Sequence, residues 1–277
     1  MGAIITLTTD FGTDDAYVAV MKGVMLTINP EVTIVDICHS IEPQNIAQAA
    51  FVISNACDYF PQDTIHVVIV DPEVGSQRRA VILKTPKAFF VAPDNGVLSY
   101  VIGTLEEKLP PSRGGPPAAE KKRLPTQLKA VEITNSKFWR HPVSSTFHGR
   151  DIFAPVAAHL SLGVLLEDFG QSITSLFALP FPRPQIGANG VLKGHIVHID
   201  HFGNLITDFS KEDLPPSKPC LEIAGQQIEG LSTSYADADK LLAILGSSGN
   251  LEIALKNGSA ASLLDAKVGD EVRIKER

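Results

Sequence analysis

The chain has 277 residues, 44% apolar and 20% charged, with a formal net charge of −7. That is a globular balance with enough apolar material for one large core or two moderate ones, and the acidic excess gives nucleic acid no electrostatic hold. Three cysteines (Cys38, Cys57, Cys220), with no C-x-x-C, exclude a disulfide framework and a zinc knuckle and fit a reducing cytoplasm; no apolar run reaches the roughly 20 residues that span a bilayer.

Ala3–Thr8 reads as a first strand, followed by the acidic turn Asp10-Phe11-Gly12-Thr13-Asp14-Asp15. Val18, Met21, Val24, Met25 and Ile28 then recur at helical spacing, with Asp14 or Asp15 as the expected N-cap and Asn29-Pro30 as the stop. Val32–Ile37 is a second strand, and Asn45 to about Tyr59 a second helix. Ile65, Val67, Val68, Ile69 and Val70 form a near-continuous apolar run, the mark of a strand covered on both faces. Strand–helix–strand–helix–strand predicts a parallel sheet with right-handed crossovers.

Asp71 follows where that third strand leaves its sheet, the edge at which open α/β sheets bind ligands, and Arg78 is near enough in the chain to fold back onto it. Residues 80–83 and 88–92 predict a hairpin. Asp94-Asn95-Gly96 is a further polar turn, and Val97 to Leu105 a short helix. Residues 106–127, rich in proline and glycine and carrying Glu120-Lys121-Lys122-Arg123, predict a mobile surface loop with a solvated basic tip. Ala130–Ile133 resumes a strand, and Phe147-His148-Gly149-Arg150-Asp151 leads into a helix past Pro155. We expect an α/β domain over 1–178, a proline-spaced linker at 179–189, and a small antiparallel β-barrel over 190–277, its strands including 190–200, 220–223, 251–255 and 271–274.

The turns at Asp10, Asp71 and Asp94 would share one sheet edge if their strands are parallel neighbours. His148 adds a titratable group, although a lone histidine is more often structural. No H-E-x-x-H, G-x-x-x-x-G-K-[ST] or G-x-G-x-x-G occurs, and Ser76 and Cys38 have no nucleophile elbow. Spacing alone therefore reaches a small-molecule site on an α/β sheet and no further.

Longer stretches carry more. Thr8-Thr9-Asp10-Phe11-Gly12-Thr13-Asp14-Asp15, Val35–Ile41, Val70-Asp71-Pro72 with Val74-Gly75 and Arg78-Arg79, Ala92–Gly96, Thr146–Arg150, Ile199–Asn204 and Ser247 through Ala260 together resemble, in order, the S-adenosylmethionine hydroxide adenosyltransferase family, hydrolytic relatives of the fluorinases and chlorinases. The resemblance implies an α/β domain followed by a β-barrel. It also implies a homotrimer whose sites lie between one subunit's first domain and its neighbour's second, and hydrolysis of S-adenosyl-L-methionine to adenosine and L-methionine with no metal or other cofactor. It places the hydrolytic triad on Asp71, Arg78 and His148, and the ribose-binding acid on Asp10. It places the methionine-amine contact on Asp200, the adenine contact on Asn204 and base packing on Tyr235; Ser247, Glu252 and Ala260 fall in the segment that holds the rest of the ligand. Glu73 stands where relatives often have glycine. Halogenating relatives replace the Asp71 and His148 positions, so this chain's acid and histidine favour water as the nucleophile. A C5′ halogenase and a low-turnover sensor of S-adenosylmethionine or adenosine are the alternatives.

Overall fold

A computed structural model describes residues 2–103, 119–180, 182–187, 190–215, 218–237 and 240–276. The chain divides into two compact units, with the boundary between Phe181 and Pro182.

The first unit begins with β1 (Ile4–Thr9), α1 (Tyr17–Ile28), β2 (Thr33–Cys38), α2 (Ile46–Cys57), β3 (Thr64–Ile69), β4 (Ala80–Lys84), β5 (Ala88–Pro93) and α3 (Ser99–Gly103). It continues with β6 (Glu120–Arg123), β7 (Lys129–Ile133), a π-helical turn at Gly149–Phe153, α4 (Ala154–Ser161), β8 (Gly170–Ile173) and β9 (Ser175–Ala178). Seven strands form one sheet in the order β2-β1-β3-β5-β4-β7-β8. β2, β1, β3 and β5 run parallel, and β4, β7 and β8 are antiparallel additions. Every residue of β3 is buried, Thr64 and His66 included, as its near-continuous apolar run leads one to expect. Val67 and Ile69 pack with Met21, Met25 and Phe153 on one face; Val68 and Val70 pack with Ala49, Ile53 and Phe90 on the other. The period-two alternation of a strand thus supplies two cores from one segment.

Two expectations fail locally. Neither Asp14 nor Asp15 caps α1: the N-cap position is Ala16, with no side-chain bond, and both aspartates are exposed. α2, by contrast, is capped by Asn45, whose side chain accepts from the Gln48 N–H at 2.9 Å. The basic stretch Lys121–Arg123 is not a loop tip but part of β6, antiparallel to β9, so its backbone is paired beside buried Leu176 and Ala178. Charge content reports side-chain solvation and is silent on backbone pairing with a strand distant in the chain. Residues 106–118 of the expected loop, and the last two residues of the helix expected over 97–105, lie outside the described residues.

The second unit is antiparallel and barrel-like. Its elements are β10 (Gln185–Ile186), β11 (Leu192–Ile199), β12 (Leu205–Ser210), β13 (Pro219–Ile223), β14 (Gln226–Glu229), β15 (Leu241–Leu245), β16 (Asn250–Leu255), α5 (Ala260–Leu264) and β17 (Glu271–Glu276). The strand order is β14-β13-β17-β11-β12-β16-β15, with β10 beside β11. The Ser232 N–H, just beyond β14, donates to Ala243 O on β15 and so ties the two ends of the sheet. Ile196, Leu205, Phe209, Leu221, Ile253 and Val272 fill the interior. β14, β15 and α5 were not foreseen from the sequence. Among the described residues no helix is long and apolar enough to cross a membrane.

Candidate functional site

β1, β3 and β5 are adjacent and parallel, so the turns beginning at Asp10, Asp71 and Asp94 emerge at one sheet edge. Asp71 and Arg78 close the middle turn on each other. Arg78 Nε lies 3.0 Å from both carboxylate oxygens, Nη2 lies 2.5 Å from Oδ2, and both side chains are 5% exposed. Arg78 Nη2 also reaches His148 Nδ1 at 2.8 Å, and its guanidinium stacks over the Phe153 ring at 5.2 Å. The three residues expected to form a triad, from two segments 70 residues apart, therefore make one hydrogen-bonded chain.

Two features hold those segments together. Gly75 has φ +82°, and a Cβ there would lie 2.5 Å from Ser145 O, so only glycine lets the Asp71 turn approach the His148 loop this closely. Asp151, fully buried, gathers that loop: it accepts from Arg150 Nε at 2.7 Å, Arg150 Nη2 at 2.8 Å, Arg140 Nη1 at 3.3 Å and the Ser144 N–H at 2.9 Å. Burial alone would raise the Asp151 carboxyl, but the bonds from Arg150 and the Ser144 N–H outweigh it and hold the group below its ordinary value. Read from the sequence, Asp151 has no task of its own; the signal is a carboxylate beside Arg150, three residues after the histidine.

A guanidinium can only donate, so His148 Nδ1 must present its lone pair to Arg78, and the proton of the neutral ring sits on Nε2. Burial first, and the Arg78 charge second, push the His148 pKa below its ordinary value, while Asp71 and Asp151 pull the other way. Neutral imidazole, committed to Arg78 at one nitrogen, is thus the form present at pH 7. A cavity of about 160 Å³ opens over Asp71 and His148, walled by Phe11, Tyr17 and Phe147. The three rings pack edge-on or tilted at 5.2–5.9 Å and were not singled out from the sequence. A larger hollow of about 710 Å³ lies at the opposite ends of the strands, against Ile4, Thr64 and Phe89, away from this group.

The flanking turns divide. Asp10 stays partly exposed, and its Oδ2 accepts the Gln44 N–H at 2.9 Å. Asp94 is structural: it pairs with Arg79 (Nε–Oδ2 2.9 Å) and accepts the Phe177 N–H at 2.7 Å, and Arg79 also donates to Ser175 O at 2.9 Å. Asn95 Nδ2 donates to Val70 O at 2.8 Å and satisfies the carbonyl left open just before Asp71.

The remaining predicted residues lie in the second unit. Asp200 Oδ1 accepts the N–H groups of Phe202 and Asn204, each at 2.9 Å, and its Oδ2 accepts Asn204 Nδ2 at 2.8 Å; the pair closes the β11–β12 turn. The Ala261 N–H donates to Gly203 O at 2.9 Å, which brings buried Ala260 to that turn. Glu252, 8% exposed, accepts the Tyr235 hydroxyl at 2.8 Å. The Tyr235 phenol is pushed up to about 12 by burial, by the Glu252 bond, and by the charges of Glu252 and Asp200. Ser247 is exposed and adjoins Gly246, where a Cβ would lie 1.7 Å from Glu252 Oε1. Asp200, Asn204, Tyr235, Glu252 and Ala260 thus share one neighbourhood, and Ser247 stands at its margin. Among the described residues no group of three or more His, Cys, Asp and Glu side chains is placed to share a metal ion.

Comparison with known proteins agrees with this division. Residues 5–170 match the model of the SAM hydroxide adenosyltransferase N-terminal domain, and residues 194–273 that of the SAM hydroxide adenosyltransferase C-terminal domain. The chain is 35% identical over 274 residues to an (R)-S-adenosyl-L-methionine hydrolase of Salinispora tropica, covering 98% of this chain and 97% of that one. It is 28% identical to a fluorinase of Nocardia brasiliensis, covering 98% and 96%. A crystal structure of an uncharacterized conserved protein from Thermotoga maritima superposes with a TM-score of 0.84 at 33% identity, covering 99% of this chain and 100% of that one.

Proposed function

The chain belongs to the SAM hydroxide adenosyltransferase family, and from that membership we propose that it hydrolyses S-adenosyl-L-methionine to adenosine and L-methionine. The hydrogen-bonded chain from the buried Asp71–Arg78 pair to half-buried His148 at the cavity carries the reading.

The substrate's sulfonium is bound to the ribose C5′. Attack there breaks the C5′–S bond, and the electron pair leaves with sulfur as a neutral thioether, so the leaving group needs no proton and no general acid. The demand falls on the nucleophile, because water is weak and hydroxide scarce at neutral pH. Arg78 offers a fixed positive charge to a developing hydroxide. Asp71 occupies two guanidinium nitrogens and so sets the angle of the fork. His148, neutral at its working pH, orients the water. It does so as a donor, through Nε2–H, because its Nδ1 lone pair is committed to Arg78; the proton that attack at C5′ releases passes from the water by way of the Asp71 carboxylate to solvent. Holding that oxygen in line with the C5′–S bond accounts for much of the acceleration. In this reading Asp10 binds the ribose hydroxyls, and Asp200, Asn204, Tyr235, Ser247, Glu252 and Ala260 hold the methionine and adenine ends. We further propose a homotrimer, supported by ligand positions drawn from both units, and a cytoplasmic protein, supported by three free cysteines.

Incubation with S-adenosyl-L-methionine should yield adenosine and methionine in equal amounts, and in ¹⁸O-water the label should enter the adenosine 5′-hydroxyl. Label in any other position would exclude attack at C5′. Addition of chloride or fluoride tests the fluorinase-like alternative, since a 5′-halo-nucleoside as the main product would replace hydrolysis with halogenation. Light scattering of the full chain reads the trimer directly.

A further inference from the structure

The segment between β2 and α2 carries none of the roles assigned above, yet it holds Asp10 from two sides. Thr9 ends β1 with its side chain buried, and its Oγ1 lies 2.8 Å from His39 Nδ1. His39 is buried too, and its Nε2 lies 3.0 Å from Asp36 Oδ1, a close polar approach that is not aligned as a hydrogen bond; Asp36 Oδ2 lies 2.5 Å from Lys22 Nζ on α1. The His39 carbonyl accepts the Gly12 N–H at 2.8 Å. Thr9 and Gly12 flank Asp10-Phe11, so one histidine grips that turn at both ends, once by its ring and once by its backbone. Gln44 adds the third tie, donating its N–H to Asp10 Oδ2. Gln44 sits at φ +68°, a conformation that a non-glycine residue keeps only when its surroundings impose it.

An apolar side chain at position 39 would fill the same space without the burden of burying two ring nitrogens. The polar relay instead fixes direction. A carboxylate that receives two neighbouring hydroxyls must hold one plane, and a carboxylate on a free turn does not. We propose that His39, braced by Asp36 and acting through Thr9 and Gly12, is a positioning residue that sets the Asp10 carboxylate for the two ribose hydroxyls, and so makes the site selective for a ribonucleoside. This rests on the role given to Asp10 under the proposed function.

The test is calorimetric binding of adenosine and 2′-deoxyadenosine to the full chain as wild type, Asp10→Ala, Thr9→Val, His39→Ala and Asp10→Ala/His39→Ala. Thr9→Val keeps the shape of the side chain and exchanges only hydroxyl for methyl, so it remains informative if His39→Ala does not fold. Wild type should prefer adenosine. Thr9→Val and His39→Ala should each lower that preference about tenfold or more, the worth of one hydrogen bond to a charged group. The double variant should be no worse than Asp10→Ala alone, Thr9→Ser should restore the preference, and KM for S-adenosyl-L-methionine should rise by a larger factor than kcat falls. Variants that keep the wild-type preference, or that weaken both nucleosides equally, overturn the proposal; so does a His39→Ala effect that adds in full to Asp10→Ala. Adenosine binding with the expected pattern but no methionine released from S-adenosyl-L-methionine would refute the proposed reaction and leave His39 as the positioning residue. A wild type without preference for adenosine overturns the positioning whatever its turnover.

Discussion

Replacing Arg78 by lysine keeps the positive charge and removes the fork. In the native protein Arg78 makes three contacts to Asp71 at 2.5–3.0 Å and a fourth to His148 at 2.8 Å. One ammonium at the end of a flexible stem can keep an ion pair with Asp71, but it cannot also hold the imidazole in the same plane. The bond to His148 is the loss, and a hydrogen bond involving a charged group is worth about 1.5–3 kcal/mol. If that orientation is used in the transition state, kcat falls by about 10- to 150-fold, with stability little changed because Asp71 remains paired. Arg78→Ala is the contrasting case. It strands a carboxylate that is 5% exposed, at about 3–5 kcal/mol, and at roughly 2–4 °C per kcal/mol the melting temperature drops by on the order of 6–20 °C. Adenosine release followed by chromatography, alongside calorimetric melting of both variants, separates the two effects. A lysine variant with wild-type kcat would show that fork geometry plays no part in catalysis. An alanine variant with wild-type melting would show that the buried pair contributes nothing to the fold.

Three further outcomes follow from the same geometry. Gly75→Ala places a Cβ 2.5 Å from Ser145 O at φ +82°; it should destabilise by more than about 1 kcal/mol and, by prising the Asp71 turn from the His148 loop, lower kcat more than it raises KM. Steady-state kinetics with urea denaturation read both. His66 is fully buried between Phe60 and Phe90, and burial lowers its pKa from 6.5 to about 4. The unfolded chain therefore takes up this proton first: the stability held by the neutral ring is complete above about pH 6.5 and is lost as the pH falls toward 4, roughly 3 kcal/mol in all. His66→Phe should flatten that part of the stability–pH curve, and an unchanged slope would place the acid sensitivity in another group. Tyr235→Phe removes the hydroxyl from buried Glu252 and should cost the second unit about 1–3 kcal/mol, read by calorimetry, with weaker adenosine binding as its companion.

Much of the site could be read from local pattern. The apolar run through Val70 placed Asp71 at a strand end, and the helical spacing of Val18, Met21 and Met25 marked α1 between two parallel strands, so the Asp10 and Asp71 turns fell at one edge. Propensity misled where long-range contacts decide. Asp14 and Asp15 have capping chemistry, yet the helix starts beyond them. Lys121–Arg123 looks like a solvated loop and is a strand because β9 supplies its backbone partners. β14, β15 and α5 went unread: β14 and α5 span only four and five residues, and β15 is a short apolar run that periodicity alone does not assign.

What the sequence determined alone is the set of groups and the order of the elements that carry them, because buried strands and amphipathic helices write their period into neighbouring residues. Asp71, Arg78 and His148 were nameable on that basis together with family resemblance. Only the tertiary structure decided how they are connected. That Arg78 donates to His148 Nδ1, and so fixes which ring nitrogen keeps the proton, depends on two loops meeting at Gly75 and Ser145. That His39 reaches Thr9 depends on β2 lying beside β1. Hydrogen-bond direction, burial and the pKa shifts that follow are properties of contacts between segments far apart in the chain, and no local window of sequence contains them.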